Sequence, residues 1–256
     1  MKQLVLNGLR PSEAARIARE GNQGAASLVP QATPQLRVVH ADDSDGVVIA
    51  LAGPRASATA LERAAKMLDG SSCEQIVGHL FEEHSIVWVW TEVLAPLLNK
   101  IGMRWEQEQR GIEVEHVLSA AVEHQLRVVH TALNDPVNAR PVLLACARHE
   151  LHTLPIYAIA GALAEKKITS RVLGARLPAE SLIDAAERIG PCAIVVWSQQ
   201  RGTADETVWD SFTGVRSGTV LMAAGPGWVD ELPNDVIRSV SFADTLITLA
   251  AAAGSS

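Results

Sequence analysis

The stretch PVLLACARHELHTLP, residues 141–155, marks the point at which the pattern of the chain changes. It begins with a continuous apolar run, typical of a strand that is buried on both faces of a parallel sheet, and continues as a polar turn. Downstream, short apolar runs alternate with helical segments, which predicts a doubly wound parallel sheet with ligands at the carboxyl ends of its strands. The predicted strands are 141–147, 168–173, 192–197, 219–223 and 236–240, and the predicted helices are 156–163, 181–189 and 242–253.

Upstream of this stretch, residues 57–134 place their apolar side chains at a helical period. The first helix should bury a face that includes Leu61 and Leu68, and residues 69–72 should end it and cap the next one. Four such helices with short connections predict a helical bundle, in which Pro96 makes a kink or a break.

The predicted fold class is therefore α + α/β, in three parts. Residues 1–55 are predicted to form N-terminal helices and a linker, with a short helix pair within 1–20 and a linker or long loop rich in Gly, Gln, Ala, Pro and Asp at 21–46. Residues 56–135 are a helical-bundle cap domain, and residues 136–256 are a Rossmann-like (flavodoxin-like) parallel-sheet domain.

Composition excludes several classes of protein. The chain has 256 residues, of which 48% are hydrophobic and 20% are charged, so it is not a disordered protein. Its net charge of −7 argues against a nucleic-acid-binding surface. The three cysteines include no CxxC pair, which argues against a disulfide framework or a structural zinc site. Without a membrane-length apolar run or a signal-peptide core, a soluble, cytoplasmic protein is expected.

The turn after the first predicted strand has side chains that suit a metal. It contains His149, Glu150 and His152 and has no glycine-rich phosphate loop. Histidine is the commonest metal ligand, and a carboxylate two residues away can orient its ring. The alternative is an ordinary polar loop at the end of a strand.

A second group lies in the predicted bundle. Trp105 ends one predicted helix, and Glu115 and His116 begin the next, so both helices can direct these side chains to one place. The alternative is that Trp105 belongs to the core and that the Glu-His pair is solvated.

A third group follows two later strands. Ser198 comes after the third predicted strand, and Gly225 and Gly227 come after the fourth. A hydroxyl and bare backbone at these positions would let a ligand come close, although ordinary turns have the same composition.

Taken together, these motifs resemble the cobalamin-binding module of the B12-dependent photoreceptors. In that family a four-helix bundle sits on a Rossmann-like B12 domain. The bundle motif Trp-x9-Glu-His is matched in full by Trp105, Glu115 and His116. The B12-domain motif Asp/Glu-x-His-x-x-Gly, followed by Ser-x-Leu and Gly-Gly, is matched in part by Glu150, His152 and Ser198, with Pro155 and Gln200 as departures, and Gly225 and Gly227 stand near the Gly-Gly site.

The resemblance implies a role for each group. His152 would be the lower cobalt ligand of adenosylcobalamin, with Glu150 and Thr153 in its turn. The displaced nucleotide tail would lie near Ser198 and the backbone of Gly225 and Gly227. Trp105, Glu115 and His116 would cap the adenosyl group. The implied function is light sensing, in which Co–C photolysis drives a conformational or oligomeric change, without enzyme activity.

Two departures shape the expected partners. Glu106 stands where the DNA-binding members have a histidine directly after the tryptophan, which leaves the upper cobalt ligand after photolysis open. We expect no winged-helix DNA reader, as in the similar photocobilins, which pair B12 with a bilin. The implied partners are a homo-oligomer (dimer or tetramer) and a downstream signalling protein, without DNA or membrane, and a noncovalently held biliverdin stays open.

Two rival functions remain at this point. One is a corrinoid carrier subunit of a methyltransferase system, which has a similar bundle, B12 domain and lower histidine. The other is a ligand-free interaction module that kept the fold, for which Pro155 in the glycine position is the best support.

Overall fold

The computed structural model describes residues 53–214, 218–228, 232–239 and 241–254. The helix pair predicted within residues 1–20 and the linker predicted at 21–46 lie outside the described residues. In the described part of the chain, no helix is long and apolar enough to cross a membrane.

The predicted bundle consists of four helical rods in the described residues. Asp69 caps the second rod, because its carboxylate accepts a hydrogen bond from the main-chain N–H of Ser72 at 3.0 Å. The third rod combines two α-helices with a π-helical turn between them. The elements are α1 (Pro54–Lys66), α2 (Gly70–Glu83), α3 (Ile86–Trp88), the π-helical turn Val89–Leu94, α4 (Ala95–Glu108) and α5 (Ile112–Thr131).

Two details of the bundle refine the predictions. The break predicted at Pro96 is the π-helical turn that ends at Leu94, since a proline in the first turn of α4 has no N–H to donate to the preceding turn. The prediction for Leu68 is wrong: α1 ends at Lys66, and Leu68, at φ 54° and 54% exposed, leaves the buried face.

The second half of the chain forms the predicted parallel sheet. In the described residues the strand order is β2-β1-β3-β4-β5, and every neighbouring pair is parallel. This confirms the predicted fold class. The strands are β1 (Val142–Cys146), β2 (Ser170–Gly174), β3 (Ala193–Trp197), β4 (Val220–Ala224) and β5 (Val236–Ser239); the helices are α6 (Leu154–Glu165), α7 (Ala179–Ile189) and α8 (Phe242–Gly254), with 3-10 segments Arg201–Thr203 and Glu206–Gly214.

The strand register brings the functional turns to one edge. Cys146 is paired with Trp197, and Trp197 with Ala224, so β1, β3 and β4 end side by side. The order of the strands reverses between β1 and β3, which is the place where ligands bind in open α/β sheets. The turns that follow these three strands therefore meet at the expected ligand-binding edge.

The bundle packs on one face of the sheet through α6. A single apolar core extends from Leu61 and Leu126 in the bundle to Val195 in β3. Contact is close at Gly161 of α6, where an added Cβ would lie 2.7 Å from Cδ1 of Ile86. The opposite face of the sheet has its own core, formed with α7 and the second 3-10 segment.

Candidate functional site

Glu150 is the centre of the turn after β1. It is fully buried. Its Oε1 accepts hydrogen bonds from the main-chain N–H groups of Leu151 and His152, both at 2.8 Å. Its Oε2 accepts from the N–H of Gln199 and the hydroxyl of Thr203, both at 2.6 Å. The carboxylate thus ties the turn after β1 to the segment after β3.

The same hydrogen bonds keep Glu150 ionised. Burial works to raise the pKa of this carboxyl, but the hydrogen bonds from His152, Thr203 and Gln199 outweigh it and lower the pKa to about 2. A buried carboxylate that is fully hydrogen-bonded in this way is a fixed negative charge beneath the turn.

His152 stands above this charge. Its Nδ1 lies 2.5 Å from Oε1 of Glu150, and 52% of its side chain is exposed. The hydrogen bond to Glu150 raises the pKa of His152, against the effect of partial burial, and the charge of Glu115 raises it further. Since Nδ1 is held by the carboxylate, Nε2 is the nitrogen available to a metal, as in the carboxylate–histidine pairs of metal sites.

Trp105, Glu115 and His116, the residues predicted to cover the adenosyl group, lie on either side of the link between α4 and α5. Gln109 follows the last residue of α4 with a left-handed φ of 51°, and its main-chain N–H donates a hydrogen bond to the carbonyl of Trp105. Gly111, at φ 91°, directly precedes α5. Trp105, which is partly buried, therefore lies about one turn before this tight link, and Glu115 and His116 lie about one turn after it. His116 is largely exposed, with Nε2 3.7 Å from Oε2 of Glu115.

Two observations relate α5 to the His152 turn. The charge of Glu115 acts on the pKa of His152. Two turns further along α5, Oε2 of Glu123 lies 3.5 Å from the hydroxyl of Thr153. Between them, the hydroxyl of Ser119 donates to Oε1 of Glu115 at 2.5 Å. Glu115 therefore belongs to the side of the bundle that faces the predicted lower ligand.

Sequence reasoning missed Ser119, Glu123 and Thr203. The first two continue from Glu115 at four-residue steps, so a polar stripe on the predicted helix could have found them. Thr203 gives no such signal, because only the folded chain brings its hydroxyl to Glu150.

The third predicted group is assembled by β3 and β4. The buried Ser198 hydroxyl donates to the carbonyl of Gln200 at 3.1 Å, and the N–H of Gly227 donates to the carbonyl of Ser198 at 2.9 Å. An added Cβ at Gly225 would clash with the Ser198 carbonyl, and one at Gly227 would lie 2.5 Å from the Gln200 carbonyl. In this structure the two glycines therefore accommodate the protein's own loop after β3.

Pro155 has a local reason for its place. It lies in the first turn of α6, where a main-chain N–H has no helical partner and proline is favoured. Its presence at the glycine position of the motif is thus compatible with an intact turn.

Comparison with known proteins identifies the module. Residues 58–129, which include Trp105, Glu115 and His116, match the family described as B12 binding domain. The HTH-type transcriptional repressor CarH of Myxococcus xanthus is 33% identical over 140 residues, which are 54% of this chain and 45% of that protein. The chain contains a cobalamin-binding module. It spans less than half the length of that relative.

The fold of the cobalamin-binding module has a solved counterpart. The monomethylamine corrinoid protein of Methanosarcina barkeri superposes with a TM-score of 0.60, over 75% of this chain and 96% of that chain, at 14% sequence identity. At this identity the likeness shows a shared fold, namely a helical region followed by a parallel sheet with helices.

The residues of the module fit a corrinoid. Cobalt held in a corrin ring would need one further ligand from the protein, and His152 would offer its Nε2 at the ligand-binding edge. Beside it, Leu151 is 64% exposed and presents an apolar surface on which a flat ring can lie.

Proposed function

We propose that this chain is a light sensor that binds adenosylcobalamin, with His152 below the cobalt and Trp105, Glu115 and His116 around the adenosyl group. The observation that carries the proposal is the Glu150–His152 pair. It combines a half-exposed imidazole with a buried carboxylate at 2.5 Å, on the sheet edge near Glu115. When bound, the cofactor would supply a cobalt–carbon bond that light can break.

The chain's own residues would convert this event into a change of state. Trp105 offers an aromatic surface to a purine, and Glu115 and His116 offer hydrogen bonds to a nucleoside. A ligand shifts a conformational equilibrium only through contacts that differ between two states, and these are the contacts that leaving adenosyl would remove.

The packing of the bundle suggests which part would move. Near Ile86, Gly161 and Glu165 the contact with α6 is tight: the N–H of Ile86 donates to Oε1 of Glu165 at 2.8 Å. Near Trp105 and His116 the bundle is more open. We therefore propose that the end of α4 and the start of α5 shift while the contact with α6 stays. The output would be a change in self-association, to a dimer or tetramer, or in the binding of a signalling partner. Neither DNA binding nor enzyme activity is part of this proposal.

Spectroscopy tests this function directly. Purified protein loaded with adenosylcobalamin in the dark is expected to retain a red-shifted, protein-bound cobalamin spectrum that changes irreversibly under green light, with a change in gel-filtration volume. Biliverdin added in a parallel loading tests for a second chromophore. No bound cobalamin, or a bound spectrum that green light leaves unchanged, would contradict light sensing.

The substitution Trp105→Ala should affect selectivity more than binding. Because the indole would contact the adenosyl group and not the corrin, its loss should reduce the preference for adenosylcobalamin over methylcobalamin by about tenfold. Affinities for the two cobalamins measure this. Trp88→Ala is the control, because Trp88 lies elsewhere in the bundle, where its ring centroid is 4.1 Å from that of His84. Equal preferences in wild type and Trp105→Ala would contradict the capping role.

A corrinoid carrier subunit of a methyltransferase system is the second candidate. It is favoured by the exposure of His116, whose side chain is 71% exposed, because a carrier must present its upper face to a partner enzyme. Methyl transfer from the methylcobalamin-loaded protein to a partner methyltransferase, with no response to light, would favour this function over the sensor.

A further inference from the structure

Trp197 ends the central strand β3 at the ligand-binding edge. It lies between Cys146 of β1 and Ala224 of β4 in the register of the sheet. Its carbonyl accepts the N–H of Ala147 at 2.9 Å, so it adjoins the turn that leads to His152. Its side chain is on the face that packs against the bundle.

The indole N–H of Trp197 is a buried donor without an acceptor in the described residues, although the residue as a whole is partly exposed. The ring lies close to Gly225, where an added Cβ would be 3.1 Å from Cδ2 of the indole. Folded proteins rarely leave a buried donor unpaired, and such a donor beside a ligand-binding edge indicates an acceptor that arrives with the ligand.

We propose that the Trp197 indole N–H donates a hydrogen bond to the nucleotide arm of the bound corrinoid. The inference rests on the proposed binding of cobalamin. The arm has phosphate, ribose and base acceptors, and Trp197 ends the strand next to β1, whose following turn holds His152. Because the indole N–H is buried, its acceptor must enter the protein between the ends of the strands. The narrow nucleotide arm can enter in this way, whereas the amides at the rim of the wide corrin ring cannot.

Trp209 provides a matched control. It is 4% exposed, and its indole N–H is likewise buried without an acceptor in the part of the chain that the structure describes. However, it lies in the core on the opposite face of the sheet, with ring centroids 5.3 Å from Trp228 and 6.0 Å from Phe212. Removing this N–H changes the same chemical group away from the proposed site.

The test compares Trp197→Phe and Trp209→Phe for binding of adenosylcobalamin and of cobinamide, which has the same corrin ring without the nucleotide. Trp197→Phe should weaken cobalamin binding by about tenfold and change cobinamide binding by less than about twofold, whereas Trp209→Phe should leave both unchanged. In wild-type protein labelled with 15N-tryptophan, the indole resonance of Trp197 should shift with cobalamin and not with cobinamide. This measurement also serves if the Phe variant folds poorly.

Each other outcome has a definite meaning. Unchanged cobalamin affinity in Trp197→Phe, with an unshifted indole resonance, overturns the inference while the proposed function stands. Equal weakening for cobalamin and cobinamide overturns the assignment to the nucleotide arm. If the wild-type chain binds neither corrinoid, the proposed function and the inference fail together.

Discussion

Replacing Glu150 with glutamine is expected to destabilise the cofactor-free protein by about 3 kcal/mol, because it breaks a fully buried and fully paired charge. Both oxygens of Glu150 accept hydrogen bonds, from two main-chain N–H groups and the ring of His152 on one side, and from Gln199 and Thr203 on the other. A carboxamide has one oxygen only. Its NH2 group would face N–H or O–H donors in either orientation, which would leave polar groups unpaired at a buried position.

Urea unfolding measures this loss. The control is Glu108→Gln, because the Glu108 side chain is 59% exposed and its single ion pair in the described residues, from Oε1 to Nε of Arg104, is long at 3.7 Å. An exposed pair of this kind contributes little, so the control should change the free energy of unfolding by less than about 1 kcal/mol. If both variants unfold at the wild-type urea concentration, the hydrogen bonds by which Glu150 joins the turn after β1 to the segment after β3 do not stabilise the fold.

The pH dependence of stability gives the same prediction a second readout. The pKa of Glu150 is lowered from 4.5 to about 2 in the folded protein. The stabilisation is therefore present above pH 4.5 and lost as pH falls towards 2, because the unfolded state then binds more protons than the folded state. Over that window the wild type should lose about 3 kcal/mol that Glu150→Gln does not lose. Parallel acid profiles of the two proteins would contradict the assignment.

The sequence predicts the sheet well for a physical reason. The apolar runs around residues 143 and 195 are buried on both faces, so an uninterrupted run is the natural pattern for each strand. The segments Arg201–Thr203 and Glu206–Gly214 were not predicted, because short 3-10 turns carry neither a strand nor a helix period. The Glu150–Thr203 contact was missed with them.

The site divides in the same way. The Glu150–His152 pair is local in sequence, and its hydrogen bond could be anticipated from two-residue spacing. The meeting of Ser198 with Gly227 follows from the parallel order of β3 and β4. What no pattern shows is that the bare backbone of this glycine accommodates the carbonyl of Gln200, because that depends on atomic packing at the sheet edge.

The largest expected effect on the cofactor comes from His152→Ala. The substitution removes the only imidazole that Glu150 holds in the described structure, so bound cobalamin should lose its histidine-ligated spectrum, and affinity should fall by at least about tenfold. The fold should survive: the ring is half-exposed, and the main-chain N–H of residue 152 still donates to Glu150. His149→Ala is the control, since His149 is exposed in the same turn.

Spectral titration with adenosylcobalamin, together with thermal unfolding of each variant, separates ligation from folding. A histidine-ligated spectrum that survives in His152→Ala and disappears in His149→Ala would move the ligand within the turn. Unchanged affinity and spectrum in both variants would favour an interaction module that does not use this edge for cobalt. With the expected result, the buried carboxylate explains why residue 152 is chosen: of the two imidazoles in the turn, it is the one for which the structure records a hydrogen bond that fixes Nδ1 and leaves Nε2 for the metal.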